Sequence, residues 1–168
     1  GYIAVGSSDF KRSKGNSWTE GYEKGKLALY DEDYQLLWEK KYDKGYNTTF
    51  FDVDATSDGY IAVGSGEMSQ EQNDNQLRDA LIVKYDKDGN IVFEKQFQVL
   101  GNAKFTKVKA VDDGFYVIGQ SIFPPMDLGF ADNGGGVLLK YDQEGNEVFR
   151  SNFGGSKSGL FNDFVISD

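Results

Sequence analysis

Histidine and cysteine are both missing from this 168-residue sequence, and proline occurs only twice. Without cysteine there is no disulfide framework, so bridges say nothing about redox compartment. The two absences also remove zinc sites built on Cys or His, a cysteine nucleophile and every Ser-His-Asp arrangement. Long apolar runs are lacking: none approaches the ~18 residues that would suggest a membrane-spanning helix. Nor does the N-terminus show a charged start, an apolar stretch and a small-residue cleavage site. The chain opens in a strand-like segment without Met, as expected of an excised piece or a processed product. Basic residues are outnumbered, 18 against 27 acidic, for a formal net charge of -9. That balance opposes sequence-independent phosphate binding, which needs clustered Lys and Arg, so nucleic acid is not an expected partner. Both signs alternate along the chain, the pattern of a solvated acidic surface.

What is abundant is aromatic and glycine: 13 Phe, 10 Tyr, 2 Trp and 21 Gly. Aromatic and β-branched side chains fit a pleated, half-buried surface, which leans the composition toward sheet. The sequence also repeats. GYIAVGSS at Gly1–Ser8 returns as GYIAVGSG at Gly59–Gly66 and, more loosely, as GFYVIGQS at Gly114–Ser121. A second block keeps the same phase: Ala80–Phe97 aligns with Gly136–Phe153 and more distantly with Leu27–Tyr42. A third block, FFDVDATSDG, FTKVKAVDDG and FNDFVISD, begins at Phe50, Phe105 and Phe161. Three blocks in one order mark a repeat architecture. Each block reads as a short strand bounded by Gly, Asp, Asn and Ser, with no sustained helical period.

Turn chemistry supports the same reading. Asp58-Gly59 and Asp113-Gly114 place a residue tolerant of positive φ between two strands, and Asp88-Gly89-Asn90 and Glu144-Gly145-Asn146 do so for the next pair. Tyr34 stands where that second glycine is expected, so the turn in the first copy is expected to take another geometry. The unit is four strands: Phe51–Ala55, Tyr60–Gly64, Leu81–Tyr85 and Ile91–Phe97, with equivalents in the other copies. Tyr30, Trp38, Phe93 and Phe149 recur at matching positions and are expected in the core between repeats. Inner-strand charges differ between copies, Asp52 and Asp54 in one and Lys107 and Lys109 in the next, and either line a channel or pair between units.

This order of Val-Ala strand, Asp-Gly turn, Tyr-Ile-Ala-Val-Gly strand, Lys-Tyr-Asp strand and Trp/Phe strand resembles the propeller repeats of bacterial secreted and cell-surface proteins. Its layout is similar to kelch blades, without their Gly-Gly pair. The resemblance implies an all-β fold of three four-stranded antiparallel propeller-type blades, with repeats 1–58, 59–113 and 114–168 in a single domain spanning 1–168. Three blades are too few to close a ring, so the expectation is a partial propeller or half of a six-bladed ring. A β-trefoil is the alternative fold. The phase places the first copy at a blade's second strand and makes Phe161–Ile166 the first strand of the next blade.

Three connections stand out by length: Ser7–Gly25, Ser65–Arg78 and Gln120–Gly135. Connections beyond about 12 residues in a compact domain are usually functional or disordered. All three join second to third strands, so in blades they leave one face, the usual layout of a binding surface on a rigid scaffold. Trp18, Tyr22, Phe123, Phe130 and Arg12 are the candidate ligand contacts, because aromatic and Arg anchors dominate interfaces. The alternative is that these rings fold back over the sheet edges. No metal or cofactor is expected. The Asp86–Asn90 turn suggests calcium, but the twelfth position of an EF-hand loop would fall on Phe97. Asp132–Gly136 lacks the helix and Lys of a phosphate-binding loop.

These readings predict a non-catalytic binding or scaffold module, extracellular or on a cell surface, that takes a protein or carbohydrate ligand. Further blades or a homodimer complete the ring. One alternative is a carboxylate-based glycoside hydrolase or lyase, whose two acids need no histidine. The other is a structural spacer that assembles through an exposed blade edge.

Overall fold

The structure is a computed structural model that describes residues 1–8, 23–67, 78–97, 102–122, 135–153 and 161–167. Among the described residues there are eleven strands and no helix. They form three antiparallel sheets, each drawn from one continuous stretch of chain. The first sheet holds β1 (Tyr2–Ser8), β2 (Lys24–Tyr30) and β3 (Leu36–Tyr42). The middle sheet holds β4 (Tyr46–Thr56), β5 (Gly59–Glu67), β6 (Asp79–Asp86) and β7 (Ile91–Phe97). The third holds β8 (Asn102–Val111), β9 (Gly114–Ile122), β10 (Gly135–Tyr141) and β11 (Glu147–Phe153). Within each sheet, strands neighbour in sequence order.

Two apolar layers hold the sheets face to face. Leu27 and Tyr42 of the first sheet meet Phe50, Ala62, Leu81, Val83 and Tyr85 of the middle sheet. Ile61, Val63, Ala80 and Ile82 meet Phe105, Phe115, Val117, Val137 and Leu139 between the middle and third. Strands β5 and β6 are therefore buried on both sides, which explains why they read as unbroken apolar runs rather than alternating ones. Phe105 and Val108 point into the same layer although three residues apart. A bulge between Phe105 and Lys107 inserts one residue and resets the alternation. The equivalent bulge between Phe50 and Asp52 lets Phe50 and Val53 share a layer in the same way.

The inner strands of neighbouring sheets are tied by carboxylates. Asp52 Oδ2 accepts the Val108 N–H at 2.9 Å, and Asp54 Oδ2 accepts the Ala110 N–H at 2.9 Å. Lys109 Nζ adds an ion pair to Asp54 at 2.9 Å, with Lys107 Nζ 3.9 Å from Asp52. The inner-strand charges thus pair between sheets, one of the two arrangements their sign pattern allowed.

Three expectations need correcting. The Tyr34 turn has the same geometry as its glycine counterparts: φ is 62° at Tyr34, 76° at Gly89 and 80° at Gly145. The closing bonds match, Tyr34 N–H to Asp31 O and Gly89 N–H to Asp86 O. Stacking of the Tyr34 ring on Tyr2 at 5.3 Å accompanies the strained backbone. Phe149 is not core but 48% exposed, because no sheet of the described residues lies over it. Its counterparts Trp38 and Phe93 are partly buried by the sheet that follows each, against Tyr60 and Phe115. Finally, Phe161–Ile166 is not a paired strand. Among the described residues it carries no ladder to any sheet, and Val165 is 90% exposed.

Candidate functional site: the loop-bearing end of the stack

The three long connections leave from matching places. Ser8 pairs with Lys24, Gly66 with Asp79 and Ser121 with Gly135, so each connection departs where two neighbouring strands meet side by side: β1 and β2, β5 and β6, β9 and β10. The inner strands β4 and β8 begin at that same end, where Tyr46 pairs with Glu67 and Asn102 with Ile122. The tight Asp-Gly hairpins lie at the opposite end.

At this end a polar seam crosses all three sheets. Thr48 N–H donates to Glu23 O at 2.9 Å, and Glu23 N–H donates to Asn47 Oδ1 at 3.5 Å. One repeat later the same clasp recurs: Ala103 N–H donates to Arg78 O at 2.6 Å, and Arg78 N–H to Asn102 Oδ1 at 2.8 Å. Each clasp joins the residue before β2 or β6 to the first residues of the next sheet's inner strand. Side chains continue the seam. Ser7 Oγ donates to Glu23, Asn47 Nδ2 donates to Glu67 Oε1 at 3.0 Å, and Arg78 Nε lies 3.7 Å from the same oxygen. Lys24 Nζ caps the Asp43 and Gly45 carbonyls of the link between β3 and β4. Strand ends leave backbone groups unpaired, and the bonds to Glu23, Thr48, Arg78, Ala103, Asp43 and Gly45 satisfy several of them.

Below the seam, Tyr42 donates its hydroxyl to Glu94 Oε2 at 3.1 Å, and Lys44 pairs with the same oxygen at 3.0 Å. Burial, reinforced by the Glu94 charge, pushes the Tyr42 phenol well above its ordinary range. Burial does the same to Tyr85, and raises Tyr141 to about 12. All three phenols are therefore protonated at neutral pH, with Tyr42 acting as a donor to Glu94 and the three rings as packing.

Among the described residues of this end, Glu23 and Glu67 are engaged. Glu67 holds Asn47 and Arg78, and Glu23 holds Ser7. Among the described residues, no cluster of three or more Asp or Glu is arranged to hold a metal ion. The turn that suggested calcium closes on itself: Asp86 Oδ1 accepts the Asp88 and Asn90 N–H groups, and Oδ2 accepts Asn90 Nδ2. Those bonds hold the Asp86 carboxyl below the usual range, and Asp142 repeats the arrangement with Asn146. At the hairpin end a cavity of about 220 Å³ opens between Ala55–Ser57 and Ala110–Asp112. Gln143 fills its polar side by donating to the Val111 and Asp112 carbonyls.

Trp18, Tyr22, Phe123, Phe130 and Arg12 lie outside the described residues. What the structure brings together is the set of strand ends from which their connections spring. Asn47 and Asn102 are the residues that reading the sequence missed. Each stands three positions before the repeat-equivalent Phe50 and Phe105, in NTTF and NAKF, and that spacing was the available signal. No family model matches the sequence, and no curated protein matches it.

Proposed function

We propose that this chain is a propeller-type, non-catalytic binding module of an extracellular or cell-surface protein, taking a protein or glycan ligand on its loop-bearing end. One observation carries the reading: three long connections spring from the same end of three stacked sheets, over a seam of hydrogen bonds that fixes their roots. A rigid base with long loops on one side is the arrangement that binding surfaces use. Blades are favoured over a trefoil because every strand ladder runs within one meander, whereas a trefoil joins strands of different repeats in one barrel. The carboxylate-enzyme alternative draws less support, since Glu23 and Glu67 at this end already hold structural partners.

The test is binding of the full chain to an immobilised oligosaccharide array and to a panel of purified cell-surface proteins. Trp18→Ala and Phe123→Ala should each weaken a detected interaction at least about tenfold, the effect of losing an aromatic anchor, while leaving the melting temperature within a degree or two. Unchanged affinity in both variants would remove the loop end as the binding surface.

A further inference from the structure

Each long connection has two ends, where the chain leaves one strand and where it enters the next. In the first and second connections a side-chain pair closes those ends. Ser7, near the end of β1, donates its hydroxyl to Glu23, the residue that enters β2. Glu67, the last residue of β5, pairs with Arg78, the residue that enters β6, with Nε 3.7 Å from Oε1.

One side chain joins the two closures. Asn47 uses both ends of its amide: Oδ1 accepts the Glu23 N–H at 3.5 Å, and Nδ2 donates to Glu67 Oε1 at 3.0 Å. The backbone sets this up. Asn47 has φ 47°, a left-handed conformation that asparagine tolerates better than most residues. The next residue, fully buried Thr48, holds the Glu23 carbonyl through its N–H at 2.9 Å. A continuous run of bonds, Ser7–Glu23–Asn47–Glu67–Arg78, therefore crosses from the first sheet into the middle one. The Glu67 side chain is 14% exposed, so its bonds act in a medium less polar than water and are stronger for it.

The third connection is not tied in by the same device. Asn102, the counterpart of Asn47, accepts the Arg78 N–H at 2.8 Å. Ile122, however, stands three residues after Gly119, where Glu67 stands three after Gly64. Isoleucine has no side-chain acceptor to offer an amide.

We propose that Asn47 couples the first and second connections, so that a change at the ends of one is felt at the ends of the other, and that the third stands outside this coupling. The coupling is reciprocal: whatever fixes Glu67 also holds Glu23, and the reverse. Its consequence for recognition rests on the binding role proposed above. A ligand that orders one of the two connections lowers the cost of ordering the other.

Residue-resolved amide hydrogen exchange, followed by NMR on the full chain without ligand, tests the coupling independently of any binding assay. The Glu23 and Thr48 amides report on the ends of the first connection. Glu67→Ala removes the acceptor of Asn47 Nδ2 and should speed exchange at both by at least about threefold. The Gly135 and Gly136 amides, which enter β10 from the third connection, should keep their parental rates. Glu67→Gln keeps an acceptor oxygen and should leave Glu23 and Thr48 near the parent. Asn47→Gly suits the left-handed backbone and should speed the same two amides. Adding Glu67→Ala in that background should change them no further. Unchanged exchange at Glu23 and Thr48 in Glu67→Ala would overturn the proposal. So would acceleration that reaches Gly135 and Gly136 equally, which is general loosening, or that persists undiminished once Asn47 is glycine.

Discussion

Repeat-equivalent glycines show how far a residue's role depends on its neighbours. Gly64 and Gly6 share sequence context, yet one lies against the Thr49 carbonyl and the other faces open space. Gly64→Ala should lower stability by about 2–4 kcal/mol, as overpacking and strand displacement combine. Gly6→Ala, measured in dilute chain, should stay within about 0.5 kcal/mol of the parent. Urea midpoints of the two variants make the comparison, and equal losses would mean that the two sites are not distinct. Tyr34 gives the same lesson about conformation. The sequence pattern suggested that a tyrosine could not occupy the left-handed position held by Gly89 and Gly145, yet it does, at φ 62°. The Asp31 cap, which accepts from the Asp33 and Gln35 N–H groups, and the Tyr2 stack outweigh the local preference. Neither partner is visible in the turn tetrapeptide alone.

At the level of elements, the strands and their tight turns were legible because they are local: Asp-Gly pairs and Val/Ile/Tyr runs mark them directly. The bulges beside Phe50 and Phe105 were not, since a one-residue insertion in a ladder shows only when the partner strand is known. The same holds for the sheet-to-sheet clasps of Asn47 and Asn102, which join residues more than 20 positions apart. Of the candidate site, the sequence revealed which connections are long but not what lies under them. The carboxylate ties between β4 and β8 can be tested by substitution. Asp54→Ala leaves the Ala110 N–H without its acceptor and should cost about 1–3 kcal/mol in urea unfolding. Asp54→Asn keeps an acceptor oxygen and should recover about half of that loss. An alanine variant as stable as the parent would mean that the tie adds nothing.

Across the whole molecule, charge and pH act in opposite senses. Lys84 holds Asp58, Lys140 holds Asp113 and Arg150 holds Glu147, each keeping its carboxyl below the ordinary range. Asp86 and Asp142 are lowered by the bonds of their own turns. A carboxyl depressed in the folded state stabilises fully above its unfolded value of about 4, and that contribution is lost as pH falls through the folded value. The net charge of -9, by contrast, repels itself most at neutral pH, and the repulsion fades as acids begin to protonate. The melting temperature should therefore hold or rise slightly from pH 7 to about 5, then fall steeply below about 4 as the paired acids protonate. A melting temperature that stays flat down to pH 3 would show that these pairs contribute no stability.

Each sheet comes from its own uninterrupted stretch of chain, which also bears on the order of events as the protein is made. The strands of the first sheet are all present once Tyr42 has emerged, before any of the middle sheet exists. When β4–β7 follow, Leu81, Val83 and Tyr85 find a surface already waiting, while Ile61, Val63 and Ile82 stay uncovered until β8–β11 arrive. Of the two layers between sheets, only one is open at a time. Sequential synthesis thus limits the sticky surface available for misassembly, a protection that refolding of the finished chain from denaturant does not provide.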